Sequence, residues 1–231
     1  MNTPISLLIP LKAGSLELVS SLSLEESSEW FSHSEKSVQL KKLTPIEELP
    51  AIFAECSSIP LEKEDLLAVQ ACEELVLVET QLSSFKEVSV FFKELLSHLP
   101  DSCPGIYLQS SGATHTRKQL ESLIDEGSTE ANFELCIQFF WSGDFLLTQG
   151  MDTLGWPDVG LSGEDPDALR EELMVVLANV AEGEGELAEG VRFEMPSEVI
   201  YRLKSQEDWG IPAGEPGHNE LGTLRLVKSL K

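Results

Sequence analysis

The sequence is short of cations. Only 16 of its 231 residues are Lys or Arg, against 40 Asp and Glu, and the formal net charge is −24. A chain of that sign repels phosphate backbones and anionic bilayer surfaces. Its nearest approach to a basic patch is the pair Lys41–Lys42, so neither nucleic acid nor membrane is expected as a partner. Cysteine is scarce too. Cys56, Cys72, Cys103 and Cys136 lie far apart, with no C-x-x-C and no histidine at metal-ligand spacing. That pattern speaks against a disulfide framework or a zinc site and fits free thiols in a reducing cytoplasm. No metal and no cofactor is expected. Long apolar runs are missing: the run from Ile5 is stopped by Pro10 and has no basic residues before it, so neither a signal peptide nor a spanning helix is read there. Phosphate-cradling G-x-x-x-x-G-K-[ST] and G-x-G-x-x-G motifs are absent.

What is present is an ordinary globular composition, 42% hydrophobic and 24% charged, in a chain long enough to bury a core. It reads as a single domain; were it to divide, the lobes would be residues 1–108 and 109–231. The acid is concentrated. From Gln119 to Val191, Arg170 is the one cation against 17 carboxylates. Such a stretch is either a solubilising surface or a face that steers a basic partner.

Ile5 to Leu11 reads as a buried strand, the serine-rich stretch from Ser15 to Ser37 as one or two short helices, and Ser37 to Leu43 as a strand. Thr44–Pro45 predicts a helix over Ile46 to Glu55, and a second short helix follows over Glu62 to Ala71. The apolar, β-branched run from Leu75 to Leu82 predicts a central strand. Ser84 and Glu87 have the spacing of a capping box, ahead of an apolar stripe from Phe85 to Leu99. Gly105 to Leu108 is the next strand, giving a strand–helix–strand unit whose strands, if neighbours, would be parallel. A short polar helix is expected over Thr116 to Asp125. Phe133 to Trp141 and Phe145 to Gln149 predict an antiparallel hairpin about Gly143. Asp165–Pro166 caps a long helix to Ala181. Short strands near Val199 to Leu203 and Thr223 to Val227 enclose a Trp-, Pro- and Gly-rich loop from Asp208 to Gly217. Together these give an α+β (mixed α/β) fold: a central mixed sheet with helices mainly on one face.

Pro104-Gly105-Ile106-Tyr107-Leu108 resembles a G-V-Y-W strand, and Gln149-Gly150-Met151-Asp152-Thr153-Leu154-Gly155-Trp156-Pro157-Asp158-Val159 resembles an R-G-L-x-x-x-G-x-P-D segment. Both are similar, in order and spacing, to an uncharacterised bacterial family known only as a domain of unknown function. The resemblance covers roughly Leu75 to Leu203. This chain departs from the pattern at Leu108, where the family has Trp, and at Gln149, where it has Arg. The resemblance brings no activity, and it implies a binding role of the immunity-like kind.

Two readings of function follow. In the first, the protein is a non-enzymatic cytoplasmic binder of a basic protein, immunity-like or chaperone-like. Its anchors would be Met151, Trp156, Pro157 and Trp209, aromatic and apolar residues on Gly/Pro loops; the alternative for them is a lid folded back on the core. In the second, a hydrolase or transferase uses the polar loop after Tyr107, with His115 and Arg117 beside a carboxylate at a strand end. That reading requires a pocket joining those three groups. His98, in the last turn of its helix, suits the helix dipole. The cysteines have no electropositive surroundings and do not read as nucleophiles. Glu182 to Glu186 lacks the ligand order of a calcium loop.

Overall fold

Strand β1 (Ile5–Leu11) is buried on both faces and organises the first half of the chain. The computed structural model describes residues 3–24, 26–57, 59–206, 209–215 and 217–229. Asp208 and Pro216 of the expected late loop, and the first two residues, lie outside them. The fold is α+β: among the described residues there are seven α-helices and two six-stranded sheets, mostly antiparallel. The chain divides into two compact units, Pro4–Cys136 and Ile137–Lys231, the latter including Met1–Thr3. The strands are thus shared between two sheets instead of being gathered into one central sheet with helices on one face.

In the first unit the strand order is β2-β3-β4-β1-β5-β6, antiparallel throughout. The strands are β2 (Ser27–His33), β3 (Lys36–Leu43), β4 (Glu74–Thr80), β5 (Gly105–Leu108) and β6 (Thr114–Thr116). β4 and β5 run parallel to each other but are not neighbours, because β1 lies between them. The Leu8 face of this sheet carries α2 (Leu49–Cys56) and α3 (Lys63–Gln70), whose Leu49, Phe53 and Val69 pack with Leu8 and Leu75. α1 (Glu17–Ser21), α4 (Val88–His98), α5 (Arg117–Glu126) and α6 (Thr129–Glu134) complete the unit.

Several elements depart from the sequence expectations. Ser27 to His33 is a strand, not a helix, because it forms a hairpin with β3; its two turn residues, Ser34 and Glu35, both adopt positive φ (48° and 65°). Hairpin turns of that kind normally announce themselves as Asn-Gly, and here the signal is missing. α2 starts at Leu49 with Pro50 in its first turn, so Pro45 precedes the helix. At Ser84 the box is half-made: the Glu87 carboxylate accepts the Ser83 N–H at 2.7 Å, but the Ser84 hydroxyl caps nothing, and a 3₁₀ turn leads into α4. Phe133 belongs to α6, capped by the Ser128 hydroxyl, so the hairpin strand begins only at Gln138.

The second unit has the order β10-β11-β12-β9-β8-β7, with β7 (Gln138–Ser142), β8 (Phe145–Gln149), β9 (Asp158–Ser162), β10 (Arg192–Glu194), β11 (Ile200–Ser205) and β12 (Thr223–Ser229). Its single parallel pair is β9 with β12. The long α7 (Pro166–Glu182) starts where expected, its first N–H groups capped by the Asp165 carboxylate. β9 lies inside the sheet, in a Gly-rich stretch that gave no strand signal. No described helix is long and apolar enough to cross a membrane.

Candidate functional site

The two residues of the catalytic reading are two positions apart in the chain and face different surroundings. His115 is not in a polar loop: it pairs opposite Ile106 in β6 and is buried. Burial pushes its imidazole down to about 4, and a hydrogen bond to the backbone of Glu134 opposes that shift only partly. Its Nε2 has no hydrogen-bond partner, so the ring is a neutral core group. Arg117 begins α5 and spreads its guanidinium over neighbours: Nη1 donates to the Pro100 carbonyl at 2.8 Å, Nε to Glu121 at 2.9 Å, and Nη2 lies 3.5 Å from Asp101. None of the described cavities is lined by either of them. The β5–β6 pair is close enough that a side chain at Gly105 would strike the His115 carbonyl at 2.2 Å.

The four anchors of the binding reading fall in the second unit. Met151 is wholly buried in a 3₁₀ turn, Met151–Leu154, held between Gly150 and Gly155, which both take positive φ (94° and 78°). Trp156 and Pro157 are half-buried, and the Trp156 carbonyl accepts the Asn219 side-chain amide at 3.0 Å. Trp209 stacks on Phe145 with centroids 4.3 Å apart, and the Arg225 guanidinium lies 4.9 Å from its ring centre. Trp209 therefore lies back on the sheet, while Met151 presents nothing to solvent.

Under this loop is a buried acidic knot that the sequence did not reveal. Asp158 opens β9, and its Oδ1 accepts the Met151 N–H at 3.3 Å and the Thr148 hydroxyl at 3.4 Å; the Asn219 side chain also binds the carboxylate. Thr148 in turn accepts the Val159 N–H at 2.8 Å. Burial lifts the Asp158 carboxyl to about 7; the three hydrogen bonds pull it down and the neighbouring Asp152 raises it. Asp152 is raised as well, chiefly by burial. The spacing Gly150, Gly155, Pro157, Asp158 thus builds a tight turn over a buried acid. The one available signal was an Asp placed between the apolar residues Pro157 and Val159. No group of three or more metal-ligating side chains occurs among the described residues.

No family model, curated protein or solved structure matches the chain.

The remaining surface of note is a sheet edge. Of the four edge strands, β6 and β10 are three residues long, and β2 carries a bulge between Glu29 and Phe31. Short strands, bulges, lysine and proline are how proteins guard open edges. β7, Gln-Phe-Phe-Trp-Ser, has none of them, and its register against β8 is unbroken. The two-residue turn makes Ser142 and Phe145 a hydrogen-bonded pair, so alternation assigns Phe140 and Gln138 to β8 as well. Phe139 and Trp141 then direct their N–H and C=O groups outward. Phe140 is 49% exposed. Arg170 of α7 sits 4.6 Å over the Phe139 ring, with the exposed Asp167 and Glu171 flanking it on the helix.

Proposed function

We propose that the protein is a binding module that takes up an extended, basic segment of a protein partner along the open β7 edge. The observation that carries this reading is the unguarded ladder of Phe139 and Trp141. An incoming strand finds main-chain hydrogen bonds there and an aromatic contact at Phe140, which is the physics of strand addition. Charge selects the partner. Residues 137–191, all in the second unit, hold 12 carboxylates, of which Asp152 and Asp158 are buried, and their one cation, Arg170, is already engaged on Phe139. A second copy of this chain, at −24, is electrostatically disfavoured in the same place. An immunity-like or chaperone-like role is of this kind. The groups of the enzymatic reading, buried His115 and surface Arg117, lend that reading no support.

The test uses an alternating Lys/Val peptide of about seven residues and its analogue N-methylated at alternate positions, which has the same charge but cannot pair as a strand. Titration followed by Trp141-sensitive fluorescence and by hydrogen exchange should protect the Phe139 and Trp141 amides. N-methylation should weaken binding about tenfold or more, since at least two hydrogen bonds worth about 1 kcal/mol each are lost. Equal affinity for both peptides would reduce the interaction to non-specific charge attraction and remove the proposal. So would protection that grows with protein concentration alone, which would mean self-pairing.

A further inference from the structure

The opposite end of the same sheet carries a second surface, and its argument is independent of the β7 edge. Residues paired across neighbouring strands project to the same face of a sheet. The register sets Arg192 opposite Arg202, and Lys204 opposite Arg225. Arg202 and Lys204 are two positions apart on β11, so all four cations share one face. They are four of the chain's 16 Lys and Arg residues, scattered in sequence from 192 to 225. The other face, with Tyr201, Leu203, Leu224 and Leu226, is buried. The cationic face is therefore the solvent side, and Arg192, Arg202 and Lys204 are exposed on it.

Like charges directly opposite one another repel, yet a chain with 40 carboxylates sets none against either pair. Among the described residues none of the four cations makes an ion pair. The one carboxylate borne by β10, β11 and β12 is Glu194, opposite Ile200. Arg225 is held in place, stacked on Trp209 and with its Nη2 donating to the Ser162 hydroxyl at 2.9 Å. Beside it is a cavity of about 260 Å³ whose walls include Ser162, Tyr201, Arg225, Val227 and Lys228, two cations and no carboxylate. The Ser162 hydroxyl accepts from Arg225 and so keeps its own proton to donate to an anion.

We infer that this face binds an extended acidic segment of a protein partner, with Glu or Asp at alternate positions. Side chains at i and i+2 of an extended chain repeat about every 7 Å, which is also the repeat of Arg202 and Lys204 along β11. One carboxylate lies between Lys204 and Arg225, beside the cavity, and the next lies between Arg202 and Arg192. Arginine forks donate paired hydrogen bonds to a carboxylate. The net charge of −24 does not forbid this, because at physiological salt charges are screened beyond roughly 8 Å and the four near cations set the local field. A nucleic acid runs past the patch and meets the acidic remainder of the surface; a short acidic segment does not.

The experiment titrates the full chain with two peptides of about eight residues, one alternating Glu and Thr, the other with the same composition arranged as Glu-Glu-Thr-Thr repeats, whose extended form turns half its carboxylates away. Binding is read at low ionic strength from the NMR shifts of the Arg202, Lys204 and Val227 amides. The alternating peptide should bind about tenfold more tightly, as expected for two further carboxylate–cation contacts. Arg202→Gln/Lys204→Gln should abolish that preference. Lys93→Gln/Lys118→Gln, which removes the same charge from exposed positions of the first unit, should leave it intact and so separates the face from net charge. Equal affinity for the two peptides, or an equal loss in both double variants, would overturn the inference. So would no binding of either peptide, tighter binding of an oligothymidylate of matching charge, which would make the face a nucleic-acid site, or shifts that grow with protein concentration alone, which would make the occupant a second copy.

Discussion

The indole of Trp209 lies parallel to the ring of Phe145, with 6° between their planes, and it occupies the space that a side chain at position 160 would need. A Cβ built on Gly160 would stand 2.8 Å from Trp209 Cε3 and 3.0 Å from the Leu146 carbonyl. This is the contact that closes the late loop over the sheet.

Gly160→Ala is therefore expected to destabilise the second unit, by about 1–3 kcal/mol if the ring must shift as in an overpacked core. The measurement is denaturant unfolding followed by Trp fluorescence, with Gly160→Ala/Trp209→Leu as the companion. The double variant should lose less than the sum of the two single changes, because the smaller side chain removes the clash. Strict additivity would show that the ring does not restrict position 160.

This contact also explains what the sequence concealed. The glycines at 150, 155, 160 and 163 read as loop, yet Gly160 is in the interior of β9, where its missing side chain admits an aromatic ring from a distant segment. A requirement set by a partner about 50 residues away leaves no local pattern. The same holds for the β2–β3 hairpin, turned by Ser34 and Glu35 at positive φ without a glycine. Elements whose cause is local were legible: α7 from the Asp165–Pro166 cap, α5 as a short polar helix from Thr116, and the β7–β8 hairpin from Gly143 between apolar runs. Of the candidate site residues, Trp209 was found as an aromatic on a loop, but its resting place on Phe145 was not. Asp158 and the cationic face were missed for a related reason. One looks like any Asp of an acidic chain, and the other is made by residues from 192 to 225 that meet only in the fold.

The knot at Asp158 makes the second unit lose stability as the pH rises from about 4 to about 7. Its carboxyl is raised from the ordinary value near 4 to about 7, so the folded state holds a proton that the unfolded chain has already released. Stability is therefore highest below about pH 4 for this group and falls as the pH rises through 7, by an amount on the order of 4 kcal/mol if no relaxation occurs. Hydrogen exchange of the β9 amides at pH 5.5 and 8.5 reads it. Asp158→Asn, uncharged at both, should show a much smaller difference between the two pH values. An undiminished pH dependence in that variant would place the titrating group elsewhere.

The thiols should divide into two classes. Burial raises all four, Cys103 to about 12 and Cys136 further, while Cys56 and Cys72 are raised less and remain half-buried. The thiolate is the nucleophile. At pH 8, alkylation should modify Cys56 and Cys72 slowly, and Cys103 and Cys136 only after denaturant is added. Labelling of Cys136 in the folded protein at a rate comparable to Cys56 would contradict its burial under α6.

His115 should make the first unit respond to pH in the opposite sense. Its ring is buried and neutral, with the folded value lowered from about 6.5 to about 4. Below pH 6.5 the unfolded chain gains a proton that the folded state refuses, so stability is fully present above 6.5 and is lost as the pH falls towards 4. The scale is roughly 3 kcal/mol over that interval. His115→Phe preserves the bulk between β6 and α6, removes the titration, and also removes the unpartnered Nε2 while giving up the bond to the Glu134 backbone. Exchange of the β5 and β1 amides, followed from pH 7 to pH 4.5, should therefore quicken in the wild type more than in His115→Phe, while the β9 amides should follow Asp158 and move the other way. If wild type and variant lost protection in parallel across this range, the acid response of the first unit would belong to its carboxylates and not to this histidine.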